Sequence, residues 1–158
     1  MLKKIFGLSL LPLNTDAGLL VLRLTLPFVI IRYHGWGKLT GWKDEAAGLP
    51  NGFSLAGAKK EFHTFPDLVG ISSEVSYVLV TWFETFGCIA IMLGLATRLH
   101  ALGLSVVLVV AWSLFHQFGF RAPHGGETAF IFGFTFLALF LIGPGKYSLD
   151  HKYGIGRT

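Results

Sequence analysis

Charge is scarce in this 158-residue chain: 14% of residues are charged against 53% apolar, and the mean hydropathy is +0.61. A soluble domain of this size sits near or below zero, so an ordinary water-soluble globule is excluded. Cysteine is scarcer still. The single Cys88 excludes an internal disulfide, a CxxC dithiol relay and a Cys-based zinc site built from one chain. Redox work would therefore need a borrowed cofactor. A Gly-rich phosphate loop, a GxSxG elbow and an HExxH zinc motif are also missing, which leaves nucleotide and ordinary hydrolytic chemistry without support. No HxxxH, HxH or ExxH spacing falls within an apolar run, so no metal is expected. The 13 Lys and Arg outnumber the 9 Asp and Glu, but they are scattered and form no stripe, so no nucleic-acid partner is expected. Disorder is excluded because the 20 glycines and 15 phenylalanines lie inside long apolar runs.

What the sequence does have is hydrophobic length. Crossing a hydrocarbon core of ~30 Å takes about 20 mostly apolar residues. Four such runs are read, at roughly 17–33, 75–95, 99–118 and 128–142. The third, ALGLSVVLVVAWSLF, has no charge and no polar face to turn toward water. The fold class expected is all-α: an integral membrane four-helix bundle, one domain over 1–158, multi-pass in a cell membrane and bathed in lipid. The N-terminal MLKKIFGLSLL imitates a signal peptide but lacks a small-residue cleavage site, so it is read as a retained interfacial segment. Four spans put both termini on one side. The Lys and Arg count outside the helices is nearly balanced, and the short turn Ala96 to Arg98 favours termini inside, in the cytoplasm. The stretch 35–74 is the one long connection. Within it Phe62, Phe65, Leu68 and Val69 recur at helical spacing beside Lys59, Lys60 and Glu61, as in a short amphipathic helix lying on the membrane surface.

Ionisable residues inside a span are expensive, which makes them functional candidates. Arg23 and Glu84 are the deep ones. Helical rise puts them about 6 Å apart in height, within reach of an ion pair between the first two helices. A salt bridge that merely joins two helices accounts for such a pair equally well. Pro27 leaves the carbonyl of Arg23 without its helical donor and is expected to kink the span there. A second group is predicted at the outer mouth, where Arg32, His34 and Lys38 leave the first span, His116 ends the third, and Arg121, His124 and Glu127 precede the fourth. Histidine can pass protons near neutral pH, and Glu127 can act as its acid partner or as a helix N-terminal residue. Trp36, Trp42 and Trp112 at that level fit an interfacial aromatic belt, or a site for a quinone or other flat apolar ligand. His34 with His116 is the one His pair at matched depth on different helices. Haem is disfavoured, because a bis-His haem sits deeper between facing helices.

Three segments carry a family resemblance: LRLTLPFVIIRYHGWGKL at 22–39, WFETFGCIAIMLGLATRLHALGL at 82–104 and LFLIGPGKYSLD at 139–150. Together they make the chain resemble the DoxX family of small four-helix membrane proteins. Arg23, His34, Gly35, Lys38, Leu39, Glu84, Gly94 and Arg98 stand at the family's pattern positions, and Gly143-Pro144-Gly145 through Asp150 matches its ending. The resemblance runs from about Ala17 to Asp150. It implies a bacterial or archaeal cell-membrane protein whose relatives are linked to quinone-dependent oxidoreductases and to thiol or sulfur redox complexes.

Three functions remain open on these grounds. The first is a redox-associated membrane subunit that binds a quinone or similar apolar ligand and works with an oxidoreductase partner. Glu84, Arg23, His34 and His116 would then handle protons, and Lys38, Arg32, Trp36, Trp112 and Glu127 would hold the ligand. The second is a non-catalytic membrane anchor or assembly subunit that docks a partner on the loop 35–74. The third is a small-solute or proton transporter, although internal repeats and discontinuous helices are missing.

Overall fold

The computed structural model describes residues 14–40, 70–121 and 125–155. Among these residues the fold is helical throughout. The amphipathic helix expected within 56–69, and His124, lie outside the described residues. The first helical stretch comprises α1 (Thr15–Ile30), a π-helical turn (Ile31–Gly35) and α2 (Trp36–Thr40). The second comprises α3 (Ser73–Trp82), another π-helical turn (Phe83–Gly87) and α4 (Cys88–Leu93). The third is α5 (Thr97–Leu114), the fourth is α6 (Glu127–Ile142), and a short α7 (Leu149–Tyr153) comes after it.

Each boundary has a local cause. The Asn14 side chain accepts the Ala17 N–H at 2.9 Å, satisfying one of the orphan donors at the start of α1. Asp16, one residue before the apolar run that begins at Ala17, accepts the Lys146 N–H at 2.9 Å. That bond, helped by the Lys146 ammonium, holds the Asp16 carboxyl below its ordinary value. α4 stops at Gly94, whose φ of 72° is left-handed. There Leu95 N–H returns to the Ala90 carbonyl at 2.8 Å and Gly94 N–H to Ile91 at 3.0 Å, the paired bonds of a Schellman motif. α5 ends at Leu114, earlier than the run to Phe118 suggests, because Gln117 and Phe118 adopt left-handed φ of 49° and 58° and turn the chain. At the other boundary, helix continues from His34 through Lys38 to Thr40, so the connection expected to begin at Gly35 starts later.

The helices pack in chain order, first on second, second on third, and third most extensively on fourth. On α5 the buried residues Ala101, Leu104, Ser105 and Leu108 keep to the three-to-four spacing of one helix face. Gly133 lets α6 approach, since a Cβ there would lie 3.2 Å from Val109 Cγ2. The buried core joins Leu19, Ile30, Cys88, Ile91, Leu104 and Phe136. Outside, the usual order is inverted. Val21, Phe28, Val78, Trp82, Ile89, Leu99, Val106, Ile131 and Leu141 are large, apolar and exposed, a surface that water would not tolerate over this extent. Among the described residues two helical stretches, Glu74–Leu93 and Thr97–Leu114, are long and apolar enough to cross a bilayer, and Glu127–Ile142 is apolar but shorter.

The first two helices pack along α1 and α4 and again where their π-helical turns meet. A Cβ on Gly35 would run into the backbone carbonyl of Glu84 and would lie 2.8 Å from Thr85 Cγ2, so only glycine permits this approach. Gly35→Ala is expected to lower stability by about 1–3 kcal/mol through forced separation of the helices. Gly18→Ala, on the same stretch with nothing within 4 Å of the added carbon, is expected to be neutral or slightly stabilising. Thermal unfolding of the two variants in detergent checks the contrast.

Candidate functional site

Glu84 sits in the second π-helical turn and is only 6% exposed. An unpaired carboxylate in such surroundings is costly, and its partner is Lys38, whose Nζ donates to Oε2 at 2.7 Å. Lys38 Nζ also lies 3.4 Å from the His34 carbonyl one turn earlier. The Tyr77 hydroxyl donates to the Lys38 carbonyl, tying α2 to α3 at the level of the pair. Thr85 donates to the Thr81 carbonyl beneath it.

The expected pair of Glu84 with Arg23 is not made. The Arg23 guanidinium donates to the Pro144 carbonyl at 2.8 Å and to that of Tyr147. The expectation erred on height. Gly35 is level with Glu84, and Arg23 lies twelve residues earlier on the same stretch, about 18 Å away by helical rise. Arg23 belongs to the opposite end of the molecule, where Gly94 leaves just enough room for its guanidinium. At that end Asp150 accepts the N–H groups of Ala96 at 2.7 Å and Thr97 at 2.8 Å, capping α5 and holding Ala96 in a left-handed φ of 45°. The segment 143–155 therefore braces one end through Arg23, Asp16 and Asp150.

The other end holds a cavity among the described residues. This cavity, of about 450 Å³, lies among all four helices, and its lining includes His34 and Lys38 from the first, Glu84 from the second, His116 after the third, and Thr128, Ala129 and Phe132 from the fourth. Its walls are otherwise apolar, among them Ile30, Val80, Leu108 and Phe115. Four polar side chains predicted from depth and cost thus face one space: His34, Lys38, Glu84 and His116. Among the described residues Lys38 bonds one Glu84 oxygen, Oε2.

Other candidates stand elsewhere. Glu127, the exposed first residue of α6, does not line the cavity, and its neighbour Thr128 does. The Arg32 guanidinium lies over the Tyr33 ring at 5.4 Å. Trp36 is exposed away from the lining. Trp112 belongs to an aromatic cluster with Phe118, Phe120, Phe130 and Phe134, with centroids 4.8 to 6.4 Å from its own. That cluster supports the turn carrying His116, since a Cβ on Gly126 would touch both Trp112 and His116. Tyr77 and Thr128 escaped the sequence reading. Tyr77 looks like any apolar residue of a span, and Thr128 like any residue of a helix start.

Helical bundles place ligand sites between facing helices, with apolar walls and a few convergent polar groups, and this cavity has that composition. The comparisons agree on kinship. The DoxX family model matches residues 18–117. The inner membrane protein YqjF of Escherichia coli strain K12 is 33% identical over 144 residues, covering 85% of this chain and 91% of that protein. An uncharacterized protein of Haemophilus influenzae is 36% identical over 75 residues, 44% of this chain and 56% of its own length. No solved structure matches significantly. This is a helical membrane protein, and it belongs to the DoxX family.

The two charged clusters make a direct energetic test. Lys38→Met or Glu84→Gln alone is expected to cost roughly 2–4 kcal/mol, less than a fully enclosed pair because Lys38 keeps some exposure, while the double replacement recovers most of the loss. Arg23→Met with Glu84→Gln is expected to be additive. Double-mutant cycles by unfolding in detergent would show coupling for the first pair and none for the second.

Proposed function

We propose that this protein is a redox-associated membrane subunit that holds a quinone or similar flat apolar ligand between its helices and acts beside an oxidoreductase partner. One observation carries the reading: an apolar-walled cavity of about 450 Å³ with an ion pair and two histidines on its lining. A quinone fits that donor set, because the cavity offers apolar walls for a ring together with both donors and acceptors for its oxygens. The quinone would supply two-electron chemistry that the side chains lack. Lys38 Nζ has a third proton to offer a carbonyl oxygen, and an ammonium there stabilises negative charge more than it does a neutral oxygen. Glu84 Oε1 accepts from a hydroxyl, and the imidazoles of His34 and His116 exchange protons between the cavity and the membrane surface.

In this reading four helices span a bacterial inner membrane, with both termini in the cytoplasm. The end that carries Lys38 and His116 then faces outward, and the braced end that carries Arg23 and Asp150 faces inward.

Identification of lipids and quinones extracted from the purified protein is expected to find a quinone in stoichiometric amount. A decyl-tailed benzoquinone is expected to quench tryptophan fluorescence saturably, with affinity reduced at least tenfold in Lys38→Met and Glu84→Gln. Absence of both co-purified quinone and saturable quenching would dismiss the proposal. For topology, single cysteines at Asn51 and Thr158 in a Cys88→Ala background are to be exposed to an impermeant thiol reagent on intact cells. Labelling of Asn51 alone is expected, and labelling of Thr158 alone inverts the assignment.

A further inference from the structure

The braced end carries a smaller cavity of about 180 Å³, whose lining includes Thr97, Arg98 and Leu99 from the first turn of α5, Pro144, Asp150, and Ile155 after α7. Asp150 accepts the N–H groups of Ala96 and Thr97, so the backbone at the start of α5 is capped. The Thr97 hydroxyl is not served by that cap. Thr97 is 0% exposed, and its Oγ1 has no hydrogen-bond partner among the described residues. A buried hydroxyl in that state is costly and calls for an acceptor. Arg98 beside it is exposed, and its guanidinium lies against bare Gly143, where an added Cβ would stand 3.3 Å from Nε and Nη2. Glycine thus leaves room for the guanidinium, which has no ion pair among the described residues. Depth adds a further constraint. Arg98 is the second residue of a helix long and apolar enough to cross a bilayer, which sets it at head-group level. Tyr147 and Tyr153 of the same end are exposed, as interfacial aromatic residues are. Leu99 and Ile155, both exposed, give the cavity an apolar rim. Among the described residues of this end, Arg23, Arg98, Lys146 and Lys152 outnumber Asp16 and Asp150.

We propose that this cavity is a head-group site for an anionic phospholipid, with the phosphate on Arg98 and the Thr97 hydroxyl and the acyl chains running past Leu99 into the hydrocarbon layer. The site lies at the opposite end from Lys38 and Glu84 and does not depend on what their cavity holds. A guanidinium presents paired N–H donors that match two phosphate oxygens, and the hydroxyl supplies a third bond. The positive dipole end of an 18-residue helix adds to the attraction. Asp150 opposes an anion weakly, because its charge is already bound by two N–H groups and is outnumbered by cations. A free phosphate ion would need neither the apolar rim nor the head-group depth.

The test uses the full chain in dodecyl maltoside, with lipid retention read by native mass spectrometry after addition of dioleoyl phosphatidylglycerol or dioleoyl phosphatidylcholine. One phosphatidylglycerol per chain is expected to be retained, at least fivefold over phosphatidylcholine. Arg98→Gln is expected to lower that retention at least tenfold, and Thr97→Val about fivefold, as for one lost hydrogen bond. Thr97→Val also separates binding from folding. Removal of an unsatisfied buried hydroxyl is expected to leave the lipid-free unfolding temperature unchanged or raised. Lys152→Gln removes a cation of the same end that lies outside the lining, 5.7 Å from the Tyr153 ring centroid, and is expected to change retention less than twofold. Should Arg98→Gln fail to fold, Arg98→Lys keeps the charge without the planar fork and is expected to lower retention about threefold. Equal retention of the two lipids, or equal losses in the Arg98→Gln and Lys152→Gln variants, marks general attraction of lipid to a basic end and overturns the proposal. Glycerol phosphate, the head without chains, is expected not to displace the lipid at millimolar concentration. Displacement by it would make the ligand a soluble phosphate ester and overturn the lipid assignment.

Discussion

A lysine on one helix and a carboxylate buried on another can meet only where the two backbones come close, and in this protein that closeness rests on Gly35. Its bare Cα lies against the Glu84 carbonyl, so the two π-helical turns abut. Lys38, one turn beyond, then reaches Glu84 at 2.7 Å. A π-helical turn adds a residue to the helical circuit and re-aims the side chains after it, a device found often at functional sites. Ile30, His34 and Lys38 follow one another at four-residue spacing across this turn and line the cavity. Without the contact at Gly35, Glu84 would keep its burial and lose its partner, the most expensive state open to it.

The two ends of the molecule answer the same cost of buried charge differently. At one end Arg23 is 1% exposed and is held by backbone carbonyls of the segment 143–155, while Asp150 of that segment caps α5. Every polar group recruited there draws chain segments together and leaves a rigid brace. At the other end a lysine and a glutamate pair with each other, and two histidines line the same cavity.

The motif segments that resemble one family in sequence are explained by that division. Leu95-Ala96-Thr97-Arg98 and Tyr147-Ser148-Leu149-Asp150 lie far apart in the chain, yet they form one structure through Asp150 and the N–H groups of Ala96 and Thr97. Arg23 and Gly143-Pro144-Gly145 form another, since the proline carbonyl accepts from the guanidinium. His34-Gly35-Trp36-Gly37-Lys38 and Glu84 form the third. Each motif is half of a contact.

Helical class, membrane character, family and the list of costly polar residues were all legible in the sequence. They depend on hydrophobic length, on the rarity of charge and on residue order, which are properties of the chain itself. Partnership was not legible. Arg23 and Glu84 were equally plausible partners on paper, because hydrophobic runs show where a helix lies only to within a turn or two, and a turn is about 5.4 Å, more than the reach of a salt bridge. The close contact at Gly35 and the fold of 143–155 onto Arg23 settled which charges meet. The cavity likewise exists only between helices: Glu127 and Trp112 have the depth to line it, but the direction of their side chains depends on how α6 packs on α5. Sequence determines which groups must be satisfied, and tertiary packing alone decides by whom, because a buried charge requires a partner within about 4 Å while a hydrophobic pattern carries no distance at all.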